Sequence, residues 1–553
     1  MYSYVFLHHK IILMMHKFKL LGLAVLSGLL MGIAWPETGS LSILIFIAFV
    51  PLLVLEEIIA SQPEKYSKWH LFLYTYLTFL IFNTYTTWWI WYSSEAGMVM
   101  AEVLYSLFMT IIFMWFHTAK KHLGNKRGYI ALVAFWIGFE WVHYNWEFSH
   151  PWNTLGNIFA NNPKWIQWYE YTGVMGGSLW ILLMNIVVYH FYQAYVIRKE
   201  SFLNNIKMVI VMLVLLLAPM IYSYNTYSNY VETENPIEVV VVQPNIDPYK
   251  DKFGRMTEDE QIANILQLAQ SKITQNTTYV VAPETAIPRG FVETKPEESN
   301  AYRMLQNWLK NNPHITLIIG ASTYREYKAS LEKPTATARP DRQTGGWYDA
   351  FNTALQLKHD APMQIYHKSK LVLGVEKLPY PKVFSPLEKF AINLGGTLGS
   401  LGSEKEAFNL INDKINIAPV ICYESIYGEY FGTYVQKGAH AAFIITNDGW
   451  WDDSPGYKQH LAYGRLRAIE TRRSIARSAN TGISCFINQR GDVLQPIGWW
   501  QKGVIKGDIN LNTAETFYVR SGDWIGRVLA ALSVLLLVWS WGAKIKNKSN
   551  FNF

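Results

Sequence analysis

Three residues of this 553-residue chain have the side-chain chemistry for covalent acyl transfer. Cys422 lies in Ile421-Cys422-Tyr423-Glu424-Ser425 and is one of only two cysteines, so a nucleophilic thiol has few places to be. Glu284 lies upstream in Val281-Ala282-Pro283-Glu284-Thr285-Ala286, and Lys368 in Tyr366-His367-Lys368-Ser369-Lys370-Leu371. A free thiol, with a pKa of about 8.5, is only partly ionised near neutrality and needs a base. A partly desolvated Glu284 would take the thiol proton, Cys422 would attack a carbonyl carbon, and Lys368 would stabilise the oxyanion that forms. Glu376 would orient Lys368, hold a second substrate, or serve only as a salt-bridge partner. Tyr423 and Glu424 flank the nucleophile and are expected to shape its pocket. His460 and the arginines from Arg465 to Arg477 recur at helical spacings and read as structural charge pairs. The competing reading of the whole set is a buried structural cysteine among capping glutamates and solvated lysines.

The elements that must position these residues alternate between strand and helix. Val239–Val242, Tyr279–Ala282, Ile315–Ile319, Ala418–Ile421, Ala442–Thr446 and residues 483–488 are short apolar runs that read as strands. Helices are expected near 256–275, 298–311 and 456–478. The alternation predicts an α/β domain whose sheet faces are covered by helices. Glu284, Cys422 and the pair Asn447-Asp448 each follow directly on a strand, where open α/β sheets place their ligand crevices.

This domain is set between membrane spans. Charged residues make up 16% of the chain, well below the quarter usual for soluble proteins, and the deficit lies at the two ends. About eight apolar runs have spanning length: 20–36, 41–60, 70–92, 97–118, 129–148, 178–197, 207–224 and 524–542. The expected organisation is a membrane domain over residues 1–230 with about seven helices, an aqueous domain over 231–515, and a last span with a short tail over 516–553. Trp88-Trp89-Ile90-Trp91-Tyr92 marks a span end at the headgroups.

Basic residues gather at the N-terminus (Lys10, Lys17, Lys19) and in the short loops carrying Lys65 and Lys68, Lys120 to Arg127, and Arg198 to Lys207. They recur at the C-terminus (Lys544, Lys546, Lys548). The alternate loops 37–40 and 93–96 carry none, and the long loop 149–177 carries only Lys164. Positive loops stay inside, so both termini are expected in the cytoplasm and the α/β domain outside it. The first span reads as an uncleaved anchor, since Met31-Gly32-Ile33-Ala34-Trp35-Pro36 offers no small-residue cleavage site. The net charge of +7 belongs mostly to the cytoplasmic loops and calls for no nucleic-acid partner. Neither a metal-ligand spacing nor a glycine-rich phosphate loop occurs, so no metal or cofactor is expected. Cys485 reads as a buried strand residue, and a disulfide to Cys422 would disable the nucleophile.

Taken together, these segments resemble the apolipoprotein N-acyltransferases, the membrane-bound bacterial branch of the nitrilase superfamily, over nearly the whole chain. The resemblance rests on Pro283-Glu284-Thr285-Ala286, the Lys368 to Glu376 segment, Cys422-Tyr423-Glu424, and Asn447-Asp448-Gly449-Trp450. Gln459-His460-Leu461, Asn480-Thr481-Gly482-Ile483-Ser484, Phe139-Glu140-Trp141, Pro151-Trp152 and Leu155-Gly156 add to it. It implies a four-layer α-β-β-α sandwich for the outer domain. One segment departs from the family: after the lysine, the usual Leu-Val-Pro-Phe-Gly-Glu is replaced by Leu371-Val372-Leu373-Gly374-Val375-Glu376. The Lys368 to Glu376 spacing is kept, yet Lys370 becomes a competitor for the catalytic lysine.

Outside the cytoplasmic membrane neither ATP nor acyl-CoA is routinely supplied, so the expected acyl donor is a membrane phospholipid. Cys422 would carry a thioester, and the resemblance names the acceptor as the N-terminal amine of a diacylglyceryl-cysteine apolipoprotein. The alternatives are a membrane-tethered amidase or nitrilase that releases acyl groups to water, and a non-catalytic scaffold.

Overall fold

The computed structural model describes residues 2–549 apart from 329–331, 343, 378 and 381–399, with side chains between 18 and 546. The Lys10, Lys17 and Lys548 side chains of the charge-asymmetry reading therefore lie outside the described residues. All eight apolar runs are helical over most of their length. Five of these helices are long and apolar enough to cross a membrane: Ser42–Ala60, Glu95–Leu123, Tyr169–Ile197, Leu203–Asn229 and Trp524–Lys546. Phe18–Ala34 is apolar but shorter, and Lys68–Thr87 and Asn125–Tyr144 carry more polar groups. These three are held by neighbours: Tyr2–Ala34 packs on Lys68–Thr87, and Asn125–Tyr144 packs between Glu95–Leu123 and Trp524–Ser549.

The expected loop over 149–177 is a packed substructure instead. Three short turns, Pro151–Asn153, Leu155–Asn161 and Pro163–Trp165, lead into a helix that begins at Tyr169 rather than near 178. Glu140 pins the second of them, its Oε1 accepting the Leu155 N–H at 2.9 Å and the Trp136 Nε1–H at 3.1 Å. Gly156 permits the closeness, because a Cβ there would meet the Val174 carbonyl oxygen at 1.9 Å. Gly173 breaks the helix with φ 57°, a conformation other residues seldom take.

The α/β region contains two sheets among the described residues. The eight-stranded sheet runs Gly503–Asn510, Pro236–Gln243, Thr277–Val281, Thr316–Tyr327, Trp347–Lys358 and Arg339–Pro340, with Ile287–Val292 and Gln364–His367 as side branches. The six-stranded sheet has Ala441–Thr446 at its centre, parallel to both Ile415–Ile421 and Ile475–Ala479. Val239, Val241, Val281 and Ile318 of one sheet face Ile417, Ile421, Phe443 and Ile445 of the other across an apolar core. Each fully buried side chain of this kind contributes about 1.5–3 kcal/mol. Helices Glu258–Gln270 and Asn300–Asn311 cover the outer face of the first sheet through Ile262, Ile265, Leu305 and Leu309. Helices Gly428–Gln436 and Pro455–Thr471 cover that of the second, completing the α-β-β-α sandwich.

One expected element is wrong. The helix read over 456–478 ends at Thr471, where Arg472 turns left-handed (φ 49°), and Ile475–Ala479 is a buried strand. Arginines at helical spacing suggested one continuous polar face. They are in fact mostly buried, some in the expected charge pairs, Arg467 with Glu470 at 2.7 Å and Arg477 with Asp448 at 2.6 Å. Arg473 is satisfied by the main chain, donating to the Ala439 and Ala514 carbonyls at 2.7 and 2.8 Å. Lateral pairing on both sides then outweighs helix propensity.

Helix Pro455–Thr471 also joins the two halves. Gln459 accepts from the Trp89 and Trp152 indoles at 3.2 and 2.7 Å, and donates to the Pro36 and Thr86 carbonyls at 3.0 and 3.2 Å. Tyr463 accepts from the Trp35 indole at 3.2 Å and donates to the Trp152 carbonyl at 3.1 Å. Tyr423, Tyr427, Tyr463 and Leu466 belong to the same apolar core as the membrane helices. The sandwich is docked on the helices, not hung from them.

Candidate active site

Parallel strands deliver the reactive residues to one crevice. Glu284 follows strand Thr277–Val281, Lys368 follows Gln364–His367, Cys422 follows Ile415–Ile421, and Asn447 follows Ala441–Thr446. With Glu376 they line a cavity of about 350 Å³. Lys368 Nζ lies 3.1 Å from Glu284 Oε1 and 2.9 Å from Glu376 Oε1. Asn352 Nδ2 bridges the same two carboxylates at 2.7 and 3.0 Å, and the Asn447 N–H donates to Glu284 Oε2 at 3.0 Å. Glu376 is fixed in turn by the Val372 N–H at 2.9 Å.

The electrostatics set a definite resting state. Burial disfavours a charged Glu284, but Lys368 and the Asn352 amide more than offset it and hold the carboxyl below the usual glutamate range. Burial likewise works against a charged Lys368, and the Glu284 and Glu376 carboxylates overcome it and raise its pKa. Burial, with the Glu284 charge adding to it, pushes the Cys422 thiol up. The crevice therefore holds a neutral thiol, a carboxylate and an ammonium.

Cys422 sits in the left-handed region at φ 48°, a strained conformation for a residue with a Cβ. Its carbonyl is held by the Ser425 hydroxyl at 2.8 Å and approached by His460 Nε2 at 3.0 Å. His460 Nδ1 lies 2.9 Å from Asp448 Oδ1, and Asp448 Oδ2 accepts from Arg477 at 2.6 Å. Against burial, Arg477 and His460 lower the Asp448 carboxyl to about 2. His460 and Asp448 thus form a brace behind the nucleophile. Their ligand atoms and Cys422 Sγ lie within 4.8 Å of one another, a grouping able to hold a metal ion that no sequence spacing announced.

The flanking residues divide. Tyr423 lines a cavity, as expected of a pocket-shaping residue. Glu424 is a tie beneath the site: it accepts from Tyr366 Oη at 2.6 Å, from the Ser369 N–H at 2.7 Å and from the Ile421 N–H at 2.8 Å, joining the lysine loop to the cysteine strand. Burial raises its carboxyl to about 7. Lys370, the competing lysine, points away from the two carboxylates and lies over the Tyr427 and Tyr430 rings at 5.0 and 5.3 Å. Cys485 is a fully buried strand residue, and both cysteines are free thiols.

Cys422 also borders a second, apolar cavity of about 130 Å³, whose walls include Trp89, Met100, Leu104, Tyr105 and Phe108 from the helical region. Met100 and Leu104 also line an open groove of about 530 Å³ along helix Glu95–Leu123. The thiol therefore stands where a polar crevice meets an apolar channel whose wall residues Met100 and Leu104 also line the surface groove of helix Glu95–Leu123.

Two lining residues were not singled out from the sequence. Asn352 is a polar residue inside the apolar strand run Ala350-Phe351-Asn352-Thr353-Ala354, a signal that could have found it. Lys252, in the turn Asp251–Arg255, is buried with its Nζ donating to the Glu284 carbonyl at 3.1 Å. In sequence it is one charge among many in Tyr249-Lys250-Asp251-Lys252, and nothing there marks it.

Residues 27–187 match the model of the apolipoprotein N-acyltransferase N-terminal domain, and residues 238–518 that of the carbon-nitrogen hydrolases. The apolipoprotein N-acyltransferase of Chlorobaculum tepidum is 33% identical over 530 residues, covering 93% of this chain and 96% of its own. That of Geobacter metallireducens is 26% identical, with 91% of each chain covered. Among solved structures, Nit3 of Saccharomyces cerevisiae, a member of branch 10 of the nitrilase superfamily, is similar with a TM-score of 0.34 and 14% identity. It spans 50% of this chain and 90% of its own.

Proposed function

Since the chain belongs to the apolipoprotein N-acyltransferase family, we propose that it moves a fatty acyl chain from a membrane phospholipid to the N-terminal amine of a diacylated apolipoprotein. The observation that carries the reading is the position of Cys422, between a polar crevice with a base and a cation and an apolar channel walled by membrane-helix residues. A hydrolase of short amides needs the crevice but has no use for the channel.

In the first half-reaction Glu284 accepts the thiol proton while Sγ attacks the donor's ester carbonyl. The Lys368 ammonium stabilises the tetrahedral oxyanion. Collapse breaks the carbonyl–oxygen bond to glycerol, Glu284 returns the proton to the leaving oxygen, and a lysophospholipid departs. In the second half-reaction the acceptor amine attacks the thioester, Glu284 takes a proton from it, and Sγ leaves and is reprotonated. The product is an amide. Two substrates using one pocket in turn is ping-pong chemistry. Glu376 and Asn352 keep Lys368 and Glu284 in register throughout.

The basic loops support an arrangement in the bacterial inner membrane with the sandwich, residues 231–515, on the extracytoplasmic side and both termini inside. A reporter fused after residue 230 should read as exported and one at the C-terminus as cytoplasmic. A cytoplasmic reading at the first fusion would remove the argument for a lipid donor.

The decisive experiment is to incubate the protein with phospholipid and no amine. It should gain the mass of one acyl chain, on Cys422, labile to neutral hydroxylamine. A diacylated lipopeptide with a free amine should discharge that adduct to a triacylated product. Discharge by water at the same rate would favour the hydrolase.

A further inference from the structure

The polar crevice contains two lysines, and only one of them is bonded directly to carboxylates. Lys368 is held between two carboxylates. Lys252, 4% exposed, meets only neutral oxygens among the described residues: the Glu284 carbonyl at 3.1 Å and, with its amide oxygen turned toward Nζ, Asn447 at 3.2 Å. An ammonium has three donors, so one remains for the cavity that Lys252 lines. A buried ammonium with no carboxylate bonded to it is costly, and the Glu284 carboxylate, which attracts Lys252 from nearby, accepts its hydrogen bonds from Lys368, Asn352 and the Asn447 N–H instead. Burial correspondingly lowers the Lys252 pKa to about 8.

The reading of the site as a phospholipid-dependent transferase, on which this inference rests, says what anion arrives. With the acyl chain in the apolar channel and its ester carbonyl at Cys422, the glycerol must extend into the polar crevice. There the phosphodiester comes within a glycerol's length of the thiol. Tyr249, three residues before Lys252, closes this side of the crevice onto the helical region, its hydroxyl 3.0 Å from both the Tyr92 and Trp450 carbonyls.

We propose that Lys252 binds the phosphate of the acyl donor and so selects phosphate-bearing lipids over neutral acyl esters. The acceptor needs no phosphate, so the site serves only the first half-reaction.

The test compares acylation of Cys422 by phosphatidylglycerol with acylation by p-nitrophenyl palmitate, an acyl ester without phosphate, in the full-length protein. Lys252→Met keeps the length of the side chain and removes the charge. It should lower the phospholipid rate relative to the ester rate by about tenfold to a hundredfold, the usual effect of losing one charge-assisted hydrogen bond. Lys252→Arg should restore most of the ratio, and discharge of a preformed adduct by lipopeptide should keep its wild-type rate. Acylation by the ester also reports that each variant is folded. Equal losses with both donors would make Lys252 a mere support for Glu284 and overturn the proposal, as would an unchanged ratio. If the wild-type protein takes acyl groups from the ester but never from phospholipid, the transferase reading fails and this one with it.

Discussion

Cys422 lies between two buried charged clusters that look alike in composition and differ in what they leave unpaired. On one side Glu284, Lys368 and Glu376 share Asn352 and border a cavity. On the other, Asp448 is enclosed by His460, Arg477 and the Thr446 hydroxyl and lines neither cavity beside Cys422, with all of these residues fully buried. Both contain carboxylates whose pKa neighbouring cations hold down. The open cluster can exchange a proton with an arriving group, whereas the closed one can only hold the Cys422 backbone. Buried charge alone does not mark a catalytic group; buried charge facing room for a substrate does.

The largest effects should come from the open cluster. Cys422→Ser and Glu284→Gln should each abolish acyl-enzyme formation, because a hydroxyl is far harder to deprotonate and an amide cannot accept the proton. Lys368→Ala should cost about a hundred- to a thousandfold in the rate of acylation. Cys422→Ser and Glu284→Gln should keep the wild-type melting profile to within a few degrees, whereas Lys368→Ala, which leaves two buried carboxylates without their cation, should lower it as well. Cys485→Ser, in a strand with no cavity beside it, should acylate like the wild type, measured by adduct mass.

The closed cluster should respond in stability first. Asp448→Asn leaves Arg477 and His460 without their buried counter-charge, which costs about 3–5 kcal/mol. Its acid dependence also has a defined sign. A carboxyl at about 2 when folded and about 3.9 when unfolded stabilises the fold above pH ~4, and that contribution is lost as pH falls toward 2. Thermal unfolding of Asp448→Asn should be flatter than the wild type across that window. A flat wild-type profile there would mean that the ion pair is not formed in solution.

Much of this contrast was legible in the sequence, and the reason is local. Glu284 and Cys422 each follow a short apolar strand, and that signal needs no knowledge of the rest of the fold. The preference for Lys368 over Lys370 rested on spacing to Glu376, and the structure puts Lys368 Nζ in two contacts near 3 Å with Glu284 and Glu376. Illegible were contacts made at long range. Asn352 reaches Glu284 across 68 positions and Lys252 across 32, so neither leaves a pattern within any one segment. Arg473 and Arg477 misled for a related reason: satisfied inside the protein by carbonyls and Asp448, they kept the spacing of an exposed helical face.

A moderate effect should separate the two lysines of the open crevice by pH. Lys252, with a pKa of about 8, loses its charge as pH rises through that value, whereas Lys368 keeps its own to much higher pH. The kcat/KM for phospholipid, which reports the free enzyme, should therefore decline above pH ~8. In Lys252→Arg, whose guanidinium stays charged, that decline should disappear. A decline that survives in Lys252→Arg would assign the titration to another group.

The smallest effect tests the lysine excluded by geometry. Lys370 stacks on Tyr427 and Tyr430 at the edge of the site and makes no contact with Glu284 or Glu376. A cation over an aromatic ring at a partly exposed position contributes about 0.5–1 kcal/mol, here to the packing of the lysine loop on helix Gly428–Gln436. Glu424 already ties that loop down through the Ser369 and Lys370 N–H groups, which a side-chain substitution leaves in place. Lys370→Ala should therefore retain most of the acylation rate while lowering the melting temperature slightly, and Lys370→Met, which keeps the stem over the rings, should recover part of that loss. If Lys370→Ala abolishes acylation while Lys368→Ala spares it, the catalytic cation stands two residues along the chain, and Glu284–Lys368–Glu376 joins Asp448–His460–Arg477 as a purely structural cluster.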